Sequence, residues 1–152
     1  MKKLILVLSF LFITNLSALT LGVGAGLENL GNDAYLQIKG DALFPLFSFL
    51  DYRLTLLTFN FKDKNIRLGT GIDNDMIAKI PLPVLFQVYI PLGFSFGFND
   101  KTSINLKGGI GLEKEFGLLK GYLEGGLKYF KNDEDKTLFY LQGGVKLSLE
   151  IL

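Results

Sequence analysis

The sequence predicts an all-β fold: an antiparallel up-and-down transmembrane β-barrel of eight strands, following a cleaved signal peptide. Three observations predict it. A basic, then apolar, then small-residue segment opens the chain. Period-two alternation of large apolar and smaller or polar residues fills the rest. The two faces of that alternation also differ in an unusual way, because the less apolar face is rich in glycine.

The opening segment comes first. Lys2 and Lys3 precede an apolar run from Leu4 to Ile13 interrupted only by Ser9, and Thr14-Asn15-Leu16-Ser17-Ala18 follows. This is the three-part layout of a secretory signal with a cut after Ala18. The run is too short to cross a membrane, which takes about 20 apolar residues. The alternative, a buried N-terminal helix, does not explain the flanks. Residues 1–18 are therefore read as signal peptide and 19–152 as one barrel domain. Removing the signal leaves 134 residues and shifts the formal charge from +1 to −1. The absence of Cys excludes lipid attachment of the bacterial lipoprotein kind.

Eight segments alternate. Leu19, Leu21, Val23, Ala25 and Leu27 oppose Thr20, Gly22, Gly24, Gly26 and Glu28. Leu36, Ile38, Gly40 and Ala42 oppose Tyr35, Gln37, Lys39 and Asp41. In 49–61 the phase slips between Leu56 and Leu57, as at a β-bulge. Segment 65–73 sets Ile66, Leu68 and Ile72 against Arg67, Gly69, Gly71 and Asp73. Segment 84–98 is the clearest, with every even position from Val84 to Phe98 large and apolar. Ile104, Leu106, Ile110 and Leu112 mark 102–113; Leu119, Leu123, Leu127 and Tyr129 mark 119–131; Phe139, Leu141, Val145, Leu147 and Leu149 mark 137–151.

The connections fall into two sets. Asn29–Asn32, Lys62–Lys64, Asn99–Lys101 and Asn132–Lys136 are polar and suit hairpins. Leu43–Ser48, Asn74–Pro83 and Lys114–Leu118 are less polar. Up-and-down order gathers the charged set at one end of the barrel and both termini at the other.

Gly108-Gly109-Ile110, Gly125-Gly126-Leu127 and Gly143-Gly144-Val145 recur at spacings of 17 and 18. A phosphate-cradling loop needs a strand-turn-helix, which none of them precedes. Mid-strand glycines that bend a small barrel and leave room inside it fit better. Gly22, Gly24, Gly26, Gly69, Gly71, Gly93, Gly97, Gly109, Gly111, Gly126 and Gly144, 11 of the 18 glycines, fall on the smaller face. As a water-facing surface that face is bare. Turned inward it fills a narrow lumen, while Leu, Ile, Val and Phe meet lipid. The expected lumen-facing charges are Glu28, Lys39, Asp41, Arg67, Lys107, Glu113, Glu124, Lys128, Lys146 and Glu150. Both signs are present, so they can pair and plug the interior. Trp is absent, so Tyr52, Phe59, Tyr129 and Phe139 are the candidates for an interfacial belt.

These features resemble the small eight-stranded outer-membrane barrels of the OmpA/OmpX type and the outer membrane protein beta-barrel domain group. The resemblance covers the whole mature region and rests on the export signal, the alternating strands, the Gly-Gly-apolar echoes and the terminal strand Leu141–Leu152. It implies a bacterial outer-membrane location, outer-membrane lipid as a partner, use of the export and barrel-assembly machinery, and a monomer. Barrels of this kind commonly end in an aromatic residue, whereas this chain has Glu150-Ile151-Leu152.

Composition narrows the function. With no His and no Cys, the commonest general base, thiol chemistry and the commonest transition-metal ligands are missing. Enzymatic members of the small-barrel group depend on a His. Asp73/Asp75 and Asp133/Glu134/Asp135 read as solvated turns instead of catalytic pairs, and the second run lacks the spacing of an EF-hand loop. Sixteen basic against 15 acidic residues exclude a nucleic-acid surface. No catalytic, cofactor or metal residue is predicted. Eight strands leave an interior just wide enough for side chains, so a diffusion pore is not expected. The reading is a non-enzymatic outer-membrane barrel with a structural, surface-contact or membrane-integrity role. The alternatives are an exported soluble barrel holding a small apolar ligand, or a narrow channel.

Overall fold

The structure, a computed structural model, describes residues 18–30, 33–62, 65–68, 71–82, 85–98, 102–130 and 136–150. Residues 1–17 of the 1–18 segment read as a signal peptide, and most of the four polar connections, lie outside them. The strands are β1 Ala18–Leu30, β2 Asp33–Phe47, β3 Leu50–Lys62, β4 Asn65–Leu68, β5 Gly71–Ile80, β6 Gln87–Phe98, β7 Thr102–Phe116, β8 Leu119–Phe130 and β9 Lys136–Glu150.

Nine strands make eight staves. β4 and β5 both pair with the same edge of β3, β4 through 59–62 and β5 through 50–55, so together they occupy one position. Consecutive staves pair antiparallel, and β9 returns to β1, closing the sheet. Register fixes the tilt. A path across the sheet runs Leu138, Lys128, Lys107, Gly93, Asp75, Arg53, Leu43 and Thr20, and arrives back on β9 at Ser148. The circuit ends ten residues beyond its start. Ten residues of stagger over eight staves, with the usual strand rise and spacing, tilt the strands by roughly 40°.

At the end that carries the β2–β3, β5–β6 and β7–β8 connections, the turn-bearing end, the strands run further than the sequence suggests. β2 continues to Phe47 and β7 to Phe116, where connections are expected from Leu43 and Lys114. Most of 74–83 is strand as well: β5 reaches Ile80, and the stave after it starts at Gln87 rather than Val84. Pro81 and Pro83 mask this in the sequence, since proline belongs at strand ends and turns. The bulge is where the phase slip puts it. Gly40 faces Leu57 and Asp41 faces Thr55, so Leu56 is the extra residue and both leucines point outward. Gly117, at φ 69°, opens a two-residue turn from β7 to β8, a left-handed conformation that glycine adopts without steric cost.

Burial runs opposite to that of a water-soluble domain. Leu106, Ile110, Leu123, Leu127, Phe139 and Val145 are all exposed on the outer face. Inside lie Glu28, Lys39, Asp41, Arg53, Asp75, Lys107, Glu124 and Lys146, all buried. The glycine pairs divide between the faces. Gly109, Gly126 and Gly24 sit inward beneath tyrosine hydroxyls, and Gly144 lies against the backbone of Val23 and Gly24. A Cβ at Gly109 or Gly126 would stand 2.6 or 2.8 Å from the Tyr140 hydroxyl, and Gly24 is covered by Tyr122. Any larger residue would lift the ring from the wall.

Candidate functional site: a charged lumen

The interior is an ion-pair lattice, and its centre is Glu124 on β8. Arg53 on β3 donates to both Glu124 oxygens, Nη1 to Oε2 at 2.7 Å and Nη2 to Oε1 at 2.9 Å. The same guanidinium donates through Nε and Nη2 to Asp75 Oδ2 on β5, at 2.8 and 2.5 Å. Lys107 on β7 lies 2.9 Å from Asp75 and 3.3 Å from Glu124. Gln142, Tyr89 and Tyr140 also donate to Glu124, at 2.9, 3.1 and 3.2 Å. Six of the eight staves thus meet on two carboxylates. Two cations balance two anions, and hydrogen bonds occupy most of the remaining capacity, which a buried pair requires.

Above this layer, toward the charged connections, Lys128 pairs with Glu28 at 2.6 Å and Lys39 with Asp73 at 4.0 Å. Gln37 bridges Glu28 and Asn60. Below it, Lys146 pairs with Glu113, Lys120 with Glu115 at 2.5 Å, and Lys79 with Asp51 at 2.8 Å. The lysines also lie over aromatic faces. Lys107 Nζ is 4.9 Å from the Tyr140 ring centre, and Lys146 Nζ sits 4.7 Å from Tyr122 and 5.1 Å from Tyr89. A cation over a ring gains from the ring quadrupole, more so when desolvated.

Of the ten charges assigned to the lumen from the sequence, Glu28, Lys39, Asp41, Lys107, Glu113, Glu124, Lys128 and Lys146 are buried inside the barrel. Arg67 and Glu150 belong to β4 and β9, but their side chains lie outside the described residues. The lattice also holds charges that were not assigned to the lumen from the sequence: Lys79, Glu115 and Lys120 at its lower end, and Asp51, Arg53, Asp73 and Asp75. The last two are not solvated turn residues. They lie in β5, and Asp75 is 1% exposed because Arg53 and Lys107 hold it. The signal for Arg53 was available: 51, 53 and 55 share one face until the slip at Leu56. Among the described residues, no group of three or more acidic side chains is placed to hold a metal ion. All four belt candidates, Tyr52, Phe59, Tyr129 and Phe139, lie on the outward face, where the half-buried Tyr52 donates to Asn74.

No protein-family model and no curated protein sequence matches the chain. Solved structures do. The N-terminal β-barrel domain of Pseudomonas aeruginosa OprF superposes with a TM-score of 0.60 at 14% identity, over 88% of this chain and 98% of that one. Neisserial surface protein A gives 0.59 at 11% identity, over 88% and 96%. A de novo designed transmembrane β-barrel gives 0.51 at 15%, over the same shares. The chain has the fold of a small transmembrane β-barrel. At such low identity the likeness concerns architecture, and the barrel's interior has to be read from its own residues.

Proposed function

We propose that this protein is a non-enzymatic integral barrel of the bacterial outer membrane, with a structural or surface-contact role and a lumen closed by its own side chains. The observation that carries the reading is the inversion of burial: Arg53, Asp75, Lys107 and Glu124 cross-link the interior while leucine, isoleucine and phenylalanine cover the outside. Water rewards the opposite arrangement, and a bilayer rewards this one. Closure supports it too, since β9 pairs back onto β1 and lipid offers no partner for an open sheet. The absence of His and Cys supports a non-catalytic role.

The rest of the assignment follows from the same reading. Residues 1–18 are the export signal. The mature chain starts at Leu19, one residue into β1, and is delivered to the barrel-assembly machinery. The barrel works as a monomer in outer-membrane lipid. A soluble carrier for an apolar ligand is the weaker reading, because such a carrier lines its cavity with apolar side chains and this lumen is charged.

Fractionation tests the proposal. The protein is expected in the outer-membrane fraction, soluble only with detergent, and to migrate faster on a gel before heating than after. Solubility without detergent sinks the membrane assignment. In a planar bilayer the wild type is expected to be silent, and a stable conductance in the nanosiemens range would overturn the closed lumen.

A further inference from the structure

The two ends of the barrel differ in a way that the proposed membrane role does not require. Past the last strand residue the turn-bearing end is apolar but for Ser48 among the described residues. Phe47 and Phe49 stack across the β2–β3 turn with ring centres 5.8 Å apart, and both are exposed. Leu85 and Phe86 stand on the β5–β6 connection, Leu85 at 82% exposure. Phe116 ends β7 and Leu118 follows Gly117 in the β7–β8 turn, exposed at 63% and 70%. None of the described turn residues at this end is charged. Single exposed leucines are ordinary, but six large apolar side chains on three turns, with Ser48 the only polar residue among the described turn residues and Glu115 paired to Lys120 beside them, are not what a water-facing end carries.

Charge is placed to match. Among the described residues, Lys114 is the only charged side chain on the outward face of the strands. It sits two residues before the end of β7, with its ammonium 5.3 Å from the Phe86 ring centre and 5.4 Å from that of Phe116. A lysine whose stem lies on an apolar surface between aromatic rings marks the depth at which acyl chains give way to headgroups. Length agrees. A 15-residue strand such as β7, tilted by roughly 40°, spans roughly 39 Å along the barrel axis, against an apolar band of about 25 Å in barrels of this kind. The excess must leave the hydrocarbon somewhere, and the apolar turns place it at the other, charged end.

Resting on the membrane reading above, we propose that the turn-bearing end is embedded and not wetted. Its three hairpin turns lie at the boundary of acyl chains and headgroups in the adjacent leaflet, and Lys114 between Phe86 and Phe116 holds that level by contacting lipid phosphate. The occupant of this surface is lipid because the apolar rim continues the lipid-facing belt, and because the one outward cation among the described residues calls for an anion that lipid supplies at that depth.

The chain has no tryptophan, so single-Trp variants report depth cleanly. Leu118→Trp and Phe49→Trp probe the rim; Ile110→Trp is the mid-belt control. Each is inserted into phosphatidylethanolamine–phosphatidylglycerol vesicles carrying phospholipid brominated at a shallow or a deep acyl position. The rim reporters are expected to emit blue-shifted, to be quenched by shallow bromine, and to resist aqueous iodide. Ile110→Trp quenched by bromine with iodide-quenched rim reporters overturns the inference and leaves the membrane reading intact; this is also the outcome if the rim serves a protein partner. Ile110→Trp untouched by bromine overturns both. Lys114→Gln in the Leu118→Trp background is expected to move the reporter from shallow toward deep bromine, and Lys114→Arg to leave it in place. An unchanged depth in Lys114→Gln removes Lys114 from the proposal.

Discussion

Arg53 and Glu124, 71 positions apart in the chain, form two parallel hydrogen bonds of 2.7 and 2.9 Å across the barrel interior. The pair joins β3 to β8, staves that share no backbone hydrogen bond, so it braces the cylinder along a diameter. Removing one partner strands a charge where no water replaces it. Arg53→Met is expected to lower unfolding free energy by about 3–5 kcal/mol, measured by urea titration in vesicles. Adding Glu124→Leu to it should recover most of that loss. A single variant as stable as the wild type would show that the lattice does not brace the barrel.

The glycine pairs make a sharper test, because their two members face opposite ways. Gly126 lies against the backbone of Gly108 and Gly109 and beneath the Tyr140 hydroxyl, so Gly126→Ala is expected to cost about 1–3 kcal/mol. At Gly108 a Cβ meets only the Leu92 side chain, at an ordinary 3.5 Å. Gly108→Ala should stay within about 0.5 kcal/mol of the wild type. Equal effects at the two sites, read from urea midpoints, would contradict the interlock.

The outer face predicts how charge is tolerated. Ile110 is 59% exposed near the middle of β7. Ile110→Arg is expected to destabilise the inserted barrel by about 2–4 kcal/mol, since the charge must enter hydrocarbon. The same change on a water-facing strand is close to neutral. Folding yield and urea midpoint in vesicles separate the two.

At the β7–β8 turn, Gly117 holds φ 69°. Gly117→Ala should cost about 1–2 kcal/mol through the left-handed backbone alone, because nothing lies within 4 Å of the added methyl. Gly117→Asn should cost less, since Asn tolerates that conformation better. If Ala and Asn prove equal in unfolding experiments, the turn adjusts its geometry and φ is not the constraint.

Much of the barrel was legible in local pattern. Alternation is a property of adjacent residues, so the inward identity of Lys107, Glu124, Lys128 and Lys146 follows from their parity with the glycines beside them. The slip at Leu56–Leu57 announced its bulge for the same reason. The end of β5 was not legible, because Pro81 and Pro83 resemble a long connection and Asp73-Asn74-Asp75 resembles a turn. What overrides those propensities is pairing: 73–78 lie between β3 and β6, and Arg53 and Lys107 turn Asp75 from a solvated residue into a buried one.

Residue periodicity alone thus determined that strands would form, how many staves they would make and which face would be polar. The closed structure decided which charges meet. That choice depends on the ten-residue stagger accumulated over eight strand interfaces, a sum no local window contains. The stagger brings Arg53 opposite Glu124 and lays Tyr140 over Gly109 and Gly126. A different stagger would keep every residue's face and change every partner.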